Sequence, residues 1–278
     1  MSKHEQSLKD ALGANDPAGA LAHAEHAVRA DPSSAHDRIA LFQLMCVLGQ
    51  WERALDQLEV IGGLDALALP MVTTYREAIK CETVRAKVFA GGTTPLALGE
   101  PQPWLAWLVE ALQRDGAGDA VAAGALREKA FEQAQFVPGE ADGAAFEWIA
   151  DNDIRLGPIL EAIVGGRYYW MPMAALARID LEAPQDLRDF VWAPAHFQFV
   201  NGGETVGLIP TRYPGSERCP DGAIQLARRT EWQPVAGGGS VGLGQRVFAT
   251  EATDLSLLEL RRITLHQTPA DGAAGPRP

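Results

Sequence analysis

The chain has 278 residues, 47% of them apolar and 22% charged, with a formal net charge of −12. That length can bury a sizeable core and suits two domains, and the balance of apolar and charged residues excludes a disordered or fibrous chain. The acid excess repels nucleic acid and anionic membrane and attracts basic partners, although plain solubility charge accounts for it as well.

The first elements repeat. Ala20, Ala24, Ala27 and Asp31-Pro32 return 34 residues later as Ala54, Leu58, Ile61 and Asp65. That period belongs to stacked helix pairs of the tetratricopeptide (TPR) type, which display binding surfaces and seldom carry chemistry. Residues 36–48 are apolar on more than one side, as in a helix sandwiched between neighbours. Gly49-Gln50 breaks that helix, and Trp51, Ala54, Leu55, Leu58 and Ile61 then form one amphipathic face. The first copy is the weaker one, with Pro17 and Ala20 where the second has Trp51 and Ala54. Further helices are expected over residues 70–90, from Pro103 along Trp104, Leu105, Leu108, Ala111 and Leu112, and over residues 119–134. Residues 91–103 read as a Gly/Pro-rich loop.

The character changes near Val137-Pro138-Gly139. Residues 151–165 are expected to be helical, interrupted early by Gly157-Pro158. Residues 167–173 (RYYWMPM), 176–181 and 195–200 read as strands. Asn201-Gly202-Gly203 is a hairpin turn, with residues 204–210 returning. A short helix is expected within 221–230, a flexible loop over 234–244, a strand at 246–250 and a closing strand within 254–264. The fold class is therefore multidomain α and α+β. A TPR-like helical repeat domain occupies residues 1–136, and a smaller α+β domain with an antiparallel sheet or barrel occupies 137–267. A Pro/Gly/Ala-rich tail, 268–278, is expected to be disordered.

No complete catalytic set is visible. Glu147, Asp151 and Asp153 are the densest carboxylates, and two of them at Asp-x-Asp spacing suit a hard cation. The loop lacks the Gly and Glu of an EF-hand, so helix capping with Arg155 as ion-pair partner is the simpler reading. Gly237–Gly244 lacks the Lys and the flanking strand and helix of a phosphate loop. His23 and His26 lack further zinc ligands, His196 reads as a packed or hydrogen-bonded residue, and Ser216 has no evident base. Cys46, Cys81 and Cys219 are an odd number without metal-ligand spacing; Cys46 and Cys81 read as small buried residues. No cofactor or metal is expected. No stretch approaches the roughly 18 apolar residues of a membrane span. The N-terminus lacks the apolar run of a signal peptide, so a cytoplasmic location is expected.

The aromatic clusters are more informative. A strand sends Tyr169 to one face and Tyr168 and Trp170 to the other. One of those faces is a candidate docking surface, with Arg212 and Tyr213 beside it and Trp51 on the repeat.

At these residues the chain resembles the ImpE/TagJ family, accessory proteins of bacterial type VI secretion systems. The resemblance runs from about Leu41 to about Arg262. It is carried by LGQWERALDQL (48–58), RAKVFAGGTTPLALGEPQPW (85–104), FEWIADNDIRLGPILEAIVGGRYYWMP (146–172), GLIPTRYPGSE (207–217), RRTEW (228–232) and GLGQR (242–246). It implies a cytoplasmic, non-enzymatic adaptor that binds the sheath subunit TssB and, through it or directly, the ClpV unfoldase that recycles contracted sheath. It implies no catalytic residues. The alternative is a metal- or small-ligand-binding, enzyme-like module in the second domain, using Glu147, Asp151, Asp153 and Arg212.

Overall fold

Among the described residues, seven α-helices come first. They are α1 (Lys3–Gly13), α2 (Pro17–Ala30), α3 (Ala35–Val47), α4 (Trp51–Leu64) and α5 (Leu69–Phe89), then, after a two-residue strand β1 (Leu96–Ala97), α6 (Pro103–Gly116) and α7 (Ala120–Gln133). The structure is a computed structural model that describes residues 3–98 and 102–266. The tail expected at 268–278 lies outside the described residues.

Local chemistry sets the helix ends. The Asp16 carboxylate accepts from Gly19 N at 2.8 Å and Ser34 Oγ from Asp37 N at 3.2 Å, satisfying N–H groups that the first turn leaves open. Gly49, at φ 66°, turns the chain from α3 into α4, a conformation that costs any residue with a Cβ. Residues 41–47 of α3 are all buried, which is the sandwiched helix expected from its all-round apolarity. In α4 the buried face is Ala54, Leu58 and Ile61. Helices α2 and α4 are both 14 residues long and start 34 residues apart, at Pro17 and Trp51. Among the described residues no helix is long and apolar enough to cross a membrane.

The remainder is rich in strands. These are β2 (Gly139–Ala141), β3 (Ala144–Phe146), β4 (Ala150–Asp151), β5 (Ile159–Val164), β6 (Arg167–Pro172), β7 (Leu176–Leu181), β8 (Trp192–Phe199) and β9 (Glu204–Pro210). A one-turn helix α8 (Gly222–Gln225) follows, then β10 (Thr230–Pro234), β11 (Ser240–Gly244), β12 (Val247–Ala249), β13 (Asp254–Ser256) and β14 (Arg262–Leu265). Nine of them form one open sheet in the order β1-β6-β5-β9-β8-β7-β14-β2-β3. It is an open sheet and not a closed barrel, and it is mixed, because β1 runs parallel to β6 while the other pairs are antiparallel. A hairpin β10–β11 and a small sheet β13-β12-β4 complete the architecture.

Two expectations are corrected. Residues 151–165 are not a helix: β4 ends at Asp151, turns follow, and β5 runs antiparallel to β6. Strand β5 (ILEAIV) is buried on both faces, so it lacks the alternation that marks a half-exposed strand. Residues 234–244 are not simply a loop, since β10 and β11 pair across a glycine-rich turn.

The sheet has two apolar faces. Ile159, Ile163, Tyr168, Trp170, Trp192 and Leu208 join the core of α2–α6. Their neighbours along the strands, Leu160, Ala162, Met171, Ala193, Phe197 and Ile209, join a second core with Phe248, Leu257 and Leu260. This is the period-two alternation of a strand, and it carries β5, β6, β8 and β9 past the helices with one face turned to them.

Candidate functional site

Where that face meets α5, it is ionic. Glu161 shares its side of β5 with Ile159 and Ile163 and is fully buried. Arg85 of α5 grips it with two bonds, Nε to Oε1 at 2.6 Å and Nη2 to Oε2 at 3.1 Å, the parallel fork of a guanidinium on a carboxylate. Arg246, which follows β11, donates from Nη2 to the same carboxylate and from Nη1 to Asp151. Tyr168 OH donates to Glu161 Oε1, and Trp170 Nε1 donates to Tyr168 OH at 2.7 Å. Glu82, one turn before Arg85, accepts from Trp192 Nε1 at 2.9 Å and from Arg85 Nη1 at 3.3 Å.

The network extends through two turns. The Asp151 carboxylate also accepts from Tyr213 OH and from Asp153 N, both at 2.9 Å. Asp153 holds Arg155 by Nε at 2.8 Å and Nη2 at 2.5 Å, and accepts from Gly242 N at 2.9 Å. A Cβ on Gly242 would stand 2.2 Å from the Tyr213 ring, so only glycine lets β11 lie this close. Among the described residues Arg212 has no carboxylate partner. Its guanidinium donates to the carbonyls of Val47 (2.7 Å), Gln225 (2.5 Å) and Cys46 (3.3 Å), two of them at the end of α3 where carbonyls lack helical partners.

With Asp151 ionised, the four carboxylates Glu82, Asp151, Asp153 and Glu161 balance the four guanidinium groups of Arg85, Arg155, Arg212 and Arg246. The two central acids respond in opposite ways. Burial alone raises Glu161, but Arg85 and Arg246 hold it down at about 2. Burial pushes Asp151 up to about 7, since it has one cation, Arg246, and a second acid, Asp153, beside it. Burial without a carboxylate partner lowers Arg212 to about 10, where it remains charged at neutral pH.

Residues flagged from the sequence as docking candidates separate into two groups. Tyr168, Trp170, Arg212 and Tyr213 are buried inside this network. Trp51 and Tyr169 are half-buried, Trp51 with its ring 5.8 Å from that of Trp192 and Tyr169 against the second core. Of the carboxylate trio, Asp151 and Asp153 are spent on Arg246, Tyr213, Arg155 and backbone N–H groups, while Glu147 stands exposed and apart. Asp153 pairs with Arg155 as expected, but neither aspartate caps a helix. Among the described residues no group of three or more His, Cys, Asp or Glu is placed to hold a metal ion. His196 contacts Glu204 at 3.4 Å, and Ser216 Oγ bonds Tyr213 O at 2.6 Å with no base beside it. Arg85, Glu82, Glu161, Trp192 and Arg246 escaped sequence reasoning. Arg85 lies 76 residues from Glu161 and Arg246 lies 85 from it. The one local signal was a carboxylate set in the apolar run ILEAIV.

A cleft of about 380 Å³ opens over the α5 side of the network, lined by Trp51, Glu82, Arg85, Phe89, Arg155 and Glu217 among others. Larger hollows include one of about 620 Å³ along α6 and one of about 660 Å³ between the start of α6 and the β8–β9 turn.

The profile of the ImpE family, described as ImpE protein, matches residues 143–264. A Pseudomonas aeruginosa protein named "Type VI secretion system accessory component TagJ" is 50% identical over 251 residues, spanning 90% of this chain and 88% of the relative. The crystal structure of a protein from Vibrio parahaemolyticus superposes with a TM-score of 0.86 at 26% identity, covering 95% of this chain and 98% of the other.

Proposed function

The chain belongs to the ImpE family, and from that premise we propose that it is a non-enzymatic, cytoplasmic adaptor of a bacterial type VI secretion system. The observation that carries this reading is the 50% identity, over 90% of the chain, to a protein named as an accessory component of that system. The partner we assign is the sheath subunit TssB, and through it or directly the ClpV unfoldase, so that the protein acts on sheath assembly or recycling.

We read residues 1–136 as a TPR-like domain and 137–267 as an α+β domain. The equal length and 34-residue offset of α2 and α4 support the first part of that reading. Helix pairs of this kind take a partner helix or peptide along a groove. Trp51, at the start of α4, and Tyr169 are the flagged aromatics with surface left to offer. Of the carboxylates of the enzyme-like alternative, Asp151 is held by Arg246 and Asp153 by Arg155, and Glu147 stands apart from both.

The test is co-purification of the full chain with TssB and with ClpV. Retention of TssB with a dissociation constant on the order of micromolar or below is expected. Because the chain is acidic, retention weakens as salt rises. Failure to retain either protein at low salt overturns the proposal.

A further inference from the structure

The cleft over the network is lined by more guanidinium than carboxylate groups on an otherwise acidic protein. Three arginines line it, Arg85, Arg155 and Arg218, against two glutamates, Glu82 and Glu217. Its unused hydrogen-bonding capacity is almost all donor. Both Glu82 oxygens are occupied, by Trp192 Nε1 and Arg85 Nη1. Arg155 spends Nε and Nη2 on Asp153, and among the described residues its Nη1 has no partner. Arg218 touches Glu217 through Nη1 alone, at 3.1 Å, and its side chain is 78% exposed. Of the lining carboxylate oxygens, Glu217 Oε2 has no partner among the described residues.

The wall is aromatic. Phe89 lies under two guanidinium groups, with Arg155 Cζ at 4.8 Å and Arg85 Cζ at 5.6 Å from its centroid. Stacking holds a guanidinium by its face and leaves its N–H edges for another ligand. Trp51 also lines the cleft. The volume of about 380 Å³ holds roughly a dozen waters at ~30 Å³ each, far more than one carboxylate group fills.

We propose that this cleft binds an acidic side chain of a polypeptide partner, its carboxylate on Arg155 and Arg218 and an apolar neighbour against Trp51 and Phe89. The free donors call for acceptor oxygens, and the aromatic wall calls for hydrocarbon next to them. A bare inorganic anion supplies the first and not the second. The inference names a site and a ligand chemistry and does not depend on which secretion protein is the partner. Retention of TssB together with failure of the experiment below removes this inference and leaves the function intact.

The experiment titrates the full chain, followed by tryptophan fluorescence, with a capped heptapeptide that carries one central glutamate between leucines. Its glutamine counterpart and inorganic phosphate are titrated alongside. The glutamate peptide binds at least tenfold tighter than the glutamine peptide. Arg218→Glu, on an exposed side chain with no role in the core, weakens it at least tenfold, and Glu217→Gln tightens it. Arg29→Glu, a control on the exposed side of α2, leaves it unchanged. Equal binding of the two peptides, binding of neither, or phosphate binding that alone responds to Arg218→Glu overturns the proposal.

Discussion

Helices α3 and α4 and the contact between α5 and β5 are both buried, yet they are held by different physics. The first is apolar: residues 41–47 of α3 pack on Ala54, Leu58 and Ile61 with Gln43 as their one polar member, and its amide accepts from Leu187 N at 2.9 Å. The second is ionic, with Glu161 and Arg246 both fully excluded from solvent. Apolar packing is tolerant, because its strength scales with area and it accepts volume-conserving exchange. A buried ion network is not. Its formation gains little over an apolar core, but the loss of one member strands the others in a medium that cannot solvate them. The helical region can therefore drift in sequence, while the contact with the sheet is all or none.

The largest effect that tests this contrast is expected from Glu161→Gln. The substitution keeps the shape and leaves Arg85 and Arg246 facing a neutral amide. By analogy with other buried pairs broken on one side, the loss is about 3–5 kcal/mol of unfolding free energy in urea denaturation. A loss below about 1 kcal/mol would mean that water reaches the contact and that its charges are not isolated.

Leu58→Ala is the apolar counterpart. Leu58 is fully buried on α4, and its truncation costs about 2–5 kcal/mol, depending on how far the site collapses. The distinguishing measurement is rescue. Leu58→Met restores most of that stability because it conserves volume, whereas no neutral isostere restores Glu161. If Leu58→Met is as damaging as Leu58→Ala, the α3–α4 packing is as exacting as the ionic contact and the contrast fails.

The same difference governs what the sequence reveals. Strand β9 was legible residue for residue at 204–210, since a hairpin signal, Asn201-Gly202-Gly203, precedes it and its first residues are exposed at every second position. The face of α4 was legible because its buried positions recur at helical spacing within a few residues. Strand β5 was not, because burial on both faces erases the alternation that distinguishes strand from helix. The network was visible only in fragments. Tyr168, Trp170, Arg212 and Tyr213 drew attention as aromatic and basic clusters, but their burial depends on α5 and on the residues after β11, far away in sequence. A charge pair bridging 76 or 85 residues leaves no local periodicity, and Arg85 reads as one more polar position on a helix.

The finest distinction lies inside the network, between its two central acids. For Glu161 the folded value of about 2 lies below the ordinary 4.5, so its stabilisation is present above about 4.5 and is lost as pH falls toward 2. For Asp151 the folded value of about 7 lies above the ordinary 3.8, so the native state binds its proton more tightly than the unfolded chain does. Its contribution is full below about 3.8 and drains away as pH rises to about 7. A single such group imposes a slope of at most about 1.4 kcal/mol per pH unit. Arg246, Tyr213 and Asp153 all face this carboxylate, so Asp151→Asn retains its neighbours while removing the titration. The unfolding free energy of the wild-type chain, measured from pH 5 to pH 7, should fall more steeply than that of Asp151→Asn, and the two curves should run parallel above pH 8. Parallel curves from pH 5 upward would mean that Arg246 holds Asp151 ionised throughout. Asp151 would then behave like Glu161, and the network would be ionic at both of its central acids.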